Sequence, residues 1–270
     1  MDLEKTAREI RYDIVRMIGP GKAGHLGGSC SIADIVTVLY FYIMRIDPKD
    51  PHWEDRDRLV LSKGHSTLAL YAALAKLGYF PKEELMTLKQ LGSNLQGHPD
   101  MIKTPGIEAN TGSLGQGLSI AAGIAAGARL DKKNYRVYCI IGDGESAEGQ
   151  IWEAAMAASY HKLDNLTAVL DRNGIQAMGP TKERFDIGPL EDKWRAFGWY
   201  VTVIDGHDME QIKKAFNETA EIKGKPSIII ANTIKGKGVC FAENTAAFHN
   251  GIMTAEQYEL ACKILCPEEE

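Results

Sequence analysis

The chain has 270 residues, 44% of them apolar, enough for a sizeable core in one large α/β domain or two smaller ones. Charged residues make up 25%, an ordinary globular share, which argues against wholesale disorder. The net charge of −5 argues against a nucleic-acid binder that works through bulk electrostatics.

Residues 4–18 carry apolar side chains at helical spacing (Ala7, Ile10, Ile14, Val15, Ile18) and stop at Gly19-Pro20. Ser31 reads as the N-cap of a helix running to about Arg45. Arg58 to Leu61 reads as a short buried strand, and Ser66 to Leu77 as a helix ended by Gly78. Residues 92–114 form a long polar stretch rich in Gly and Pro, and such a stretch inside a domain is usually functional. From residue 136 strands and helices alternate. Strands are predicted at 136–141, 166–170, 199–204 and 227–230, with helices near 147–161, 191–197 and 208–222 between them. Apolar runs joined by helical crossovers mean buried parallel strands, so the fold class is α/β, a doubly wound, mostly parallel sheet with helices on both faces. No linker rich in Pro, Gly or Ser divides the chain. Residues 1–270 are read as a single domain, with an N-terminal helical part (1–57) and a C-terminal tail (233–270) that ends in the acidic run 268–270.

The five cysteines (Cys30, Cys139, Cys240, Cys262, Cys266) are odd in number, irregularly spaced and without a CxxC, so free thiols in a reducing compartment are expected. Cys262 and Cys266 are spaced to share a helix face. Met1 to Lys5 is charged and lacks the apolar centre of a signal peptide, and no apolar run approaches the ~20 residues that span a bilayer. The sequence reads as cytoplasmic, with neither membrane nor nucleic acid as a partner.

In doubly wound sheets ligands bind at the carboxyl ends of the strands. Gly142-Asp143-Gly144 directly follows one predicted strand, and Asn173-Gly174 directly follows the next. Asp143 supplies a carboxylate and Asn173 an amide oxygen. Magnesium takes about six oxygens near 2.1 Å, commonly one or two carboxylates with phosphate oxygens and water. A backbone carbonyl just past Asn173 supplies a further ligand. Asp-Gly and Asn-Gly are also common turn pairs, so it is their placement on consecutive strand ends that carries the signal. Gly112 to Gly117 (GSLGQG) opens a helix rich in Ala and Gly, which suits an anion at its free N–H groups, close packing of the helix, or both.

Of seven histidines, four sit in loops of small residues: His25, His65, His98 and His249. Neutral imidazoles there suit proton transfer and hydrogen bonds to sugar hydroxyls. The short His-x-x-His spacings that favour zinc are absent. His52, His161 and His207 are read as structural or surface residues.

With these residues in view, the chain resembles the N-terminal, diphosphate-binding part of transketolases, in the form encoded separately from its partner. The motifs AGHLGGS, LSKGHS, QGHPD, GSLGQG, GDGESAEGQ, LDRNGIQ and KGKGV followed by FHNG carry the resemblance nearly from end to end. It implies thiamine diphosphate and Mg2+ as cofactors, with Ca2+ or Mn2+ able to substitute. Asp143, Asn173 and the Ile175 carbonyl match the metal ligands. His65, Gly144, Leu114 and Gly115 match positions at the cofactor. His25, His98 and His249 match the histidines that bind donor-sugar hydroxyls and move protons, and Glu148 matches an acid that links paired active sites across a subunit interface. The segment before His249 (Cys240 to Ala247) departs from the full-length pattern and is nearer the deoxyxylulose-phosphate synthase and short-subunit versions.

The activity implied is transfer of a two-carbon ketol unit from a ketose phosphate to an aldose phosphate, with pentose phosphates as the default. The cofactor works as an ylid, activated in this family by a glutamate on a pyrimidine-binding domain. That domain is expected from a C-terminal partner subunit, in an α2β2 heterotetramer. Two weighed alternatives are half of another thiamine diphosphate enzyme, such as deoxyxylulose-phosphate synthase or a ketoacid decarboxylase, and a non-catalytic cofactor-binding module. The three sugar-binding histidines argue against a decarboxylase, and the intact ligand set argues against the module. A dinucleotide-binding domain is disfavoured because the turn at Gly142 lacks GxGxxG.

Overall fold

A computed structural model describes residues 1–266; the acidic run 268–270 lies outside the described residues. The chain opens with α1 (Leu3–Ile18), capped by Asp2, whose carboxylate accepts from the Lys5 N–H at 2.9 Å. The short strand β1 (Ala23–Gly24) leads into α2 (Leu26–Ser31) and α3 (Ala33–Val38), and the path widens into a π-helical turn over Leu39–Ile43. This corrects the expected N-cap at Ser31. The helical path starts five residues earlier, at Leu26, and Ser31 closes α2 instead. The Ser31 hydroxyl donates to the Gly28 carbonyl at 3.0 Å and to Asp171 at 2.7 Å, so it serves a distant carboxylate and not a helix start.

Next come β2 (Arg58–Leu61), α4 (Thr67–Leu77) and a long irregular stretch to α5 (Gln116–Leu130). Gly78 ends α4 in the left-handed conformation, φ 89°, as the sequence implies. The alternating half follows: β3 (Val137–Gly142), α6 (Gly149–Tyr160), β4 (Leu166–Arg172), a tiny hairpin of β5 (Ile175–Gln176) and β6 (Gly179–Pro180), α7 (Thr181–Arg184), α8 (Leu190–Ala196), β7 (Tyr200–Asp205), α9 (Met209–Glu221) and β8 (Ser227–Asn232). The chain then reaches β9 (Gly251–Ile252) and α10 (Ala255–Leu265). Helix α10 is absent from the elements expected above, yet its signal is present. Thr254 and Gln257 form a capping box ahead of the inward-facing Ala261 and Leu265.

Among the described residues, five strands make one parallel sheet in the order β2-β3-β4-β8-β7. Side chains alternate across it. Tyr138, Ile140, Val169 and Ile229 join the core shared with α1, α3, α4 and α9, while Val137, Cys139, Ile141, Leu170 and Ile230 join the core under α5, α6 and α8. Both faces of β3, β4 and β8 are covered, which is why those strands are mainly apolar, while the edge strand β7 is partly exposed; each fully buried Ile contributes about 1.5–3 kcal/mol. The chain steps outward from β2 to β4, then places β8 between β4 and the edge strand β7, so the carboxyl ends of β2, β3, β4 and β8 lie side by side. No helix among the described residues is long and apolar enough to cross a membrane. Among the described residues no disulfide joins any of the five cysteines, and Cys30 and Cys139 lie within the core.

Candidate active site

The carboxyl ends of β2, β3, β4 and β8 carry a cavity of about 390 Å³. Asp143 follows β3 and is buried. Its two oxygens accept from the N–H groups of Gly144 at 2.7 Å and Gly174 at 2.6 Å. Burial first, and then the negative charge of Asp171, push its carboxyl up to about 6, while those two N–H donors pull the other way. A nearby cation would reverse the shift. Asn173 ends the β4 turn, with its amide oxygen accepting from the Ile175 N–H at 3.1 Å and its amino group donating to Asp171 at 2.8 Å. Asp143, Gly144, Asn173, Ile175 and Leu114 all line the cavity.

Beneath this surface lies a charged layer that the sequence reasoning missed. Asp171, fully buried at the end of β4, accepts from the Lys63 ammonium at 2.6 Å, from Ser31 at 2.7 Å and from the Thr233 hydroxyl. Burial alone would raise its pKa, but the Lys63 charge and these hydrogen bonds hold it below the ordinary carboxylate range. Lys235, past β8, donates to the Ile175 carbonyl at 2.8 Å and to Nδ1 of His249 at 2.9 Å. Burial, then the charge of Lys63, lower the Lys235 ammonium to about 8. A charged residue within an otherwise apolar strand, as in LTAVLDR, is the signal that could have pointed to Asp171. Lys63 and Lys235 stand within the motifs named above, but neither shows a partner in the sequence.

Glu145 is a further residue missed. Its buried carboxylate accepts from the Ser62 hydroxyl, from the Gly115 N–H at 2.9 Å and from the Gly142 N–H at 3.0 Å. Gly117, in the first turn of α5, donates in turn to Ser62 at 3.1 Å. The helix start read as an anion site meets the chain's own Glu145, whose carboxyl is pushed above its ordinary range by burial while the Ser62, Gly115 and Gly142 donors pull the other way. That carboxylate ties the GSLGQG turn to the ends of β2 and β3. Gly115, at φ 87°, leaves no space for a side chain, because an added Cβ would lie 2.9 Å from Cβ of Glu148. Glu148 is exposed at the start of α6 and lines the same cavity.

The four loop histidines converge. Ring centroids lie 5.1 Å apart for His25 and His65, 4.9 Å for His65 and His249, 5.5 Å for His25 and His249, and 6.1 Å for His25 and His98. The pairing of Gly24 with Gly251 in the β1–β9 ribbon brings the His25 and His249 loops together. The Tyr71 hydroxyl holds the His98 loop at the carbonyls of Gln96 and His98, both at 3.1 Å. Gly112 lets the backbone lie against the His98 ring, where a Cβ would come within 2.6 Å. Burial, reinforced by neighbouring lysines and histidines, lowers His25 and His249 to about 4 and His65 to about 2, and lowers His98 as well. All four rings are neutral near pH 7 and present both donors and acceptors.

His207 has a different task. Its Nδ1 meets buried Asp34 at 2.6 Å and its Nε2 accepts from the Ile234 N–H at 2.8 Å, and Asp34 also pairs with Arg11. It pins the β8 exit to α3, in line with the structural reading.

These donors suit a divalent cation with a diphosphate: one buried carboxylate, one amide oxygen and one carbonyl, flanked by the Lys63 and Lys235 ammonium groups. Among the described residues no cluster of three or more His, Cys, Asp or Glu is arranged to hold a metal ion. Fold and site together define a diphosphate-binding α/β domain.

Residues 3–267 match the family profile described as "Transketolase, thiamine diphosphate binding domain". The chain is 51% identical over 261 residues to the 6-deoxy-6-sulfo-D-fructose transketolase subunit of Clostridium sp. (strain MSTE9), covering 97% of this chain and 95% of that one. It is 46% identical to one of the subunits of the apulose-4-phosphate transketolase of Phocaeicola vulgatus, covering 97% and 92%. The solved transketolase of Leishmania mexicana superposes with a TM-score of 0.93 at 32% identity, over all of this chain and 42% of that longer one. The chain belongs to the transketolase family and binds thiamine diphosphate through this domain. It is a transketolase subunit, corresponding to the N-terminal part of the longer enzymes.

Proposed function

We propose that this chain and a C-terminal partner subunit carrying the pyrimidine-binding half transfer a two-carbon ketol unit between sugars, as a cytoplasmic α2β2 heterotetramer. Residues 1–270 act in it as one diphosphate-binding domain. The observation that carries the reading is the convergence of four neutral histidines, two of which, His65 and His249, line the same cavity as Asp143 and Asn173.

Asp143, Asn173 and the Ile175 carbonyl hold Mg2+, with Gly144, His65, Leu114 and Gly115 around the diphosphate. Thiamine diphosphate, when bound, supplies a nucleophilic ring carbon and an electron sink for the C–C bond that breaks. The residues of the chain orient the sugar and handle protons. The Lys235 ammonium can only donate, so Nδ1 of His249 accepts from it and Nε2 keeps the proton that faces substrate. His25 and His98 bind donor hydroxyls and take or return the hydroxyl proton as the C–C bond breaks and re-forms. Glu148, exposed at the start of α6, links the paired active sites across the subunit interface.

The substrates are a ketose donor and an aldose phosphate acceptor. Two relatives named for 6-deoxy-6-sulfo-D-fructose and apulose 4-phosphate make those donors candidates beside xylulose 5-phosphate. The test is ketol transfer to an aldose phosphate from each of the three donors, with Mg2+ and thiamine diphosphate. It is run on the lone chain and on the complex recovered from its host. Activity of the complex alone is expected, and turnover by the lone chain would refute the two-chain proposal.

A further inference from the structure

The Asn173 amide has two nearly isosteric faces, and a half-turn exchanges its oxygen with its amino group. Only the oxygen binds a cation. The half-turn is fixed from below. The amino group donates to Oδ2 of Asp171 at 2.8 Å, two residues earlier in the chain. An ionised carboxylate has no proton to give, so a turned amide would set oxygen against oxygen at that spot. The Asp171 carboxylate cannot turn away either. Ser31, Lys63 and Thr233 hold it from three separate segments, reaching across 140, 108 and 62 residues of sequence. Asp171 is wholly buried and does not line the cavity, so it can touch neither cofactor nor sugar.

We propose that Asp171 is a positioning residue for the metal: by locking the Asn173 amide with its oxygen available, it sets the affinity of the site for a divalent cation without contacting it. This rests on Asn173 being a metal ligand. Groups behind a first ligand typically change metal affinity 10- to 100-fold when removed.

Replacing Asp171 alone would leave Lys63 buried without its partner, so Asp171→Leu is made together with Lys63→Met, which removes the buried pair as a unit. That variant, Asn173→Ala with the pair intact, and the combination are made in the full chain and assembled with the partner subunit. Mn2+ affinity is read by electron paramagnetic resonance with thiamine diphosphate present, and thermal melting is followed alongside. Each of the first two is expected to weaken Mn2+ binding about 10- to 100-fold, and the combination no more than Asn173→Ala alone, within about threefold. Unchanged affinity in Asp171→Leu, or a full second loss on top of Asn173→Ala, overturns the positioning role. Unchanged affinity in Asn173→Ala instead sinks the ligand reading on which the role stands.

Discussion

The floor of the cavity and its histidine wall treat charge in opposite ways. The floor is built on strand ends and keeps its charges by pairing them: Asp171 with Lys63, and Asp143 with two backbone N–H groups. The wall is built on loops, and among the described residues no carboxylate pairs with any of its four rings, so burial and nearby lysines strip the imidazoles of charge. A rigid, charge-compensated floor suits a doubly charged ion and a diphosphate. A neutral wall suits hydroxyl groups, which exchange protons with uncharged imidazole near neutral pH. The two parts should therefore fail differently.

The largest separation is expected from Asp143→Ala. Mg2+ and thiamine diphosphate should bind at least ~100-fold more weakly by calorimetry, since a first ligand matters at least as much as the groups behind it. Metal-free melting should hold or rise, because a buried carboxyl with a raised pKa is gone. Metal affinity within threefold of the parent would break the assignment of the floor.

His98→Ala should do the reverse. Ketose turnover, as kcat/KM, should fall ~100-fold or more, while thiamine diphosphate affinity stays within about threefold. Equal losses in both would give His98 a structural role only.

Gly64→Ala probes the joint, for Gly64 lies between Lys63 of the floor and His65 of the wall. An added Cβ would sit 2.6 Å from the carbonyl of Thr111, and main chain cannot step aside cheaply. A loss of about 1–3 kcal/mol is expected, or several degrees in thermal melting. No shift would mean that the joint is soft.

The smallest effect is one of pH. His25 and His249 titrate near pH 6.5 when unfolded but near about 4 when folded. Between those values the unfolded chain binds more protons, so stability falls as the pH drops. This contribution is present in full above 6.5 and lost by about 4. Melting of the cofactor-free chain should decline from pH 7 to 5, less steeply in His249→Asn. A parallel decline in the variant would show His249 to be normally protonated.

The residues of the wall are legible in the sequence, because small-residue loops around His25, His65, His98 and His249 are local features. The floor is half legible. Asp143 and Asn173 stand beside glycines at strand ends, whereas Asp171 and Lys63 show their meaning only through each other. Ser31 misleads for the same reason, since its hydroxyl reaches a carboxylate 140 residues away and caps no helix start.

The sequence by itself determined the alternation of strands and helices, the parallel sheet and the placing of Asp143 and Asn173 at strand ends. Those follow from periodicity and turn chemistry, which act over a few residues. Only the tertiary structure decided that four histidines meet, that Glu145 fills the start of α5, and that Asp171 braces Asn173. These depend on side chains from distant segments sharing one buried volume, where each polar group must find a partner that no local pattern names.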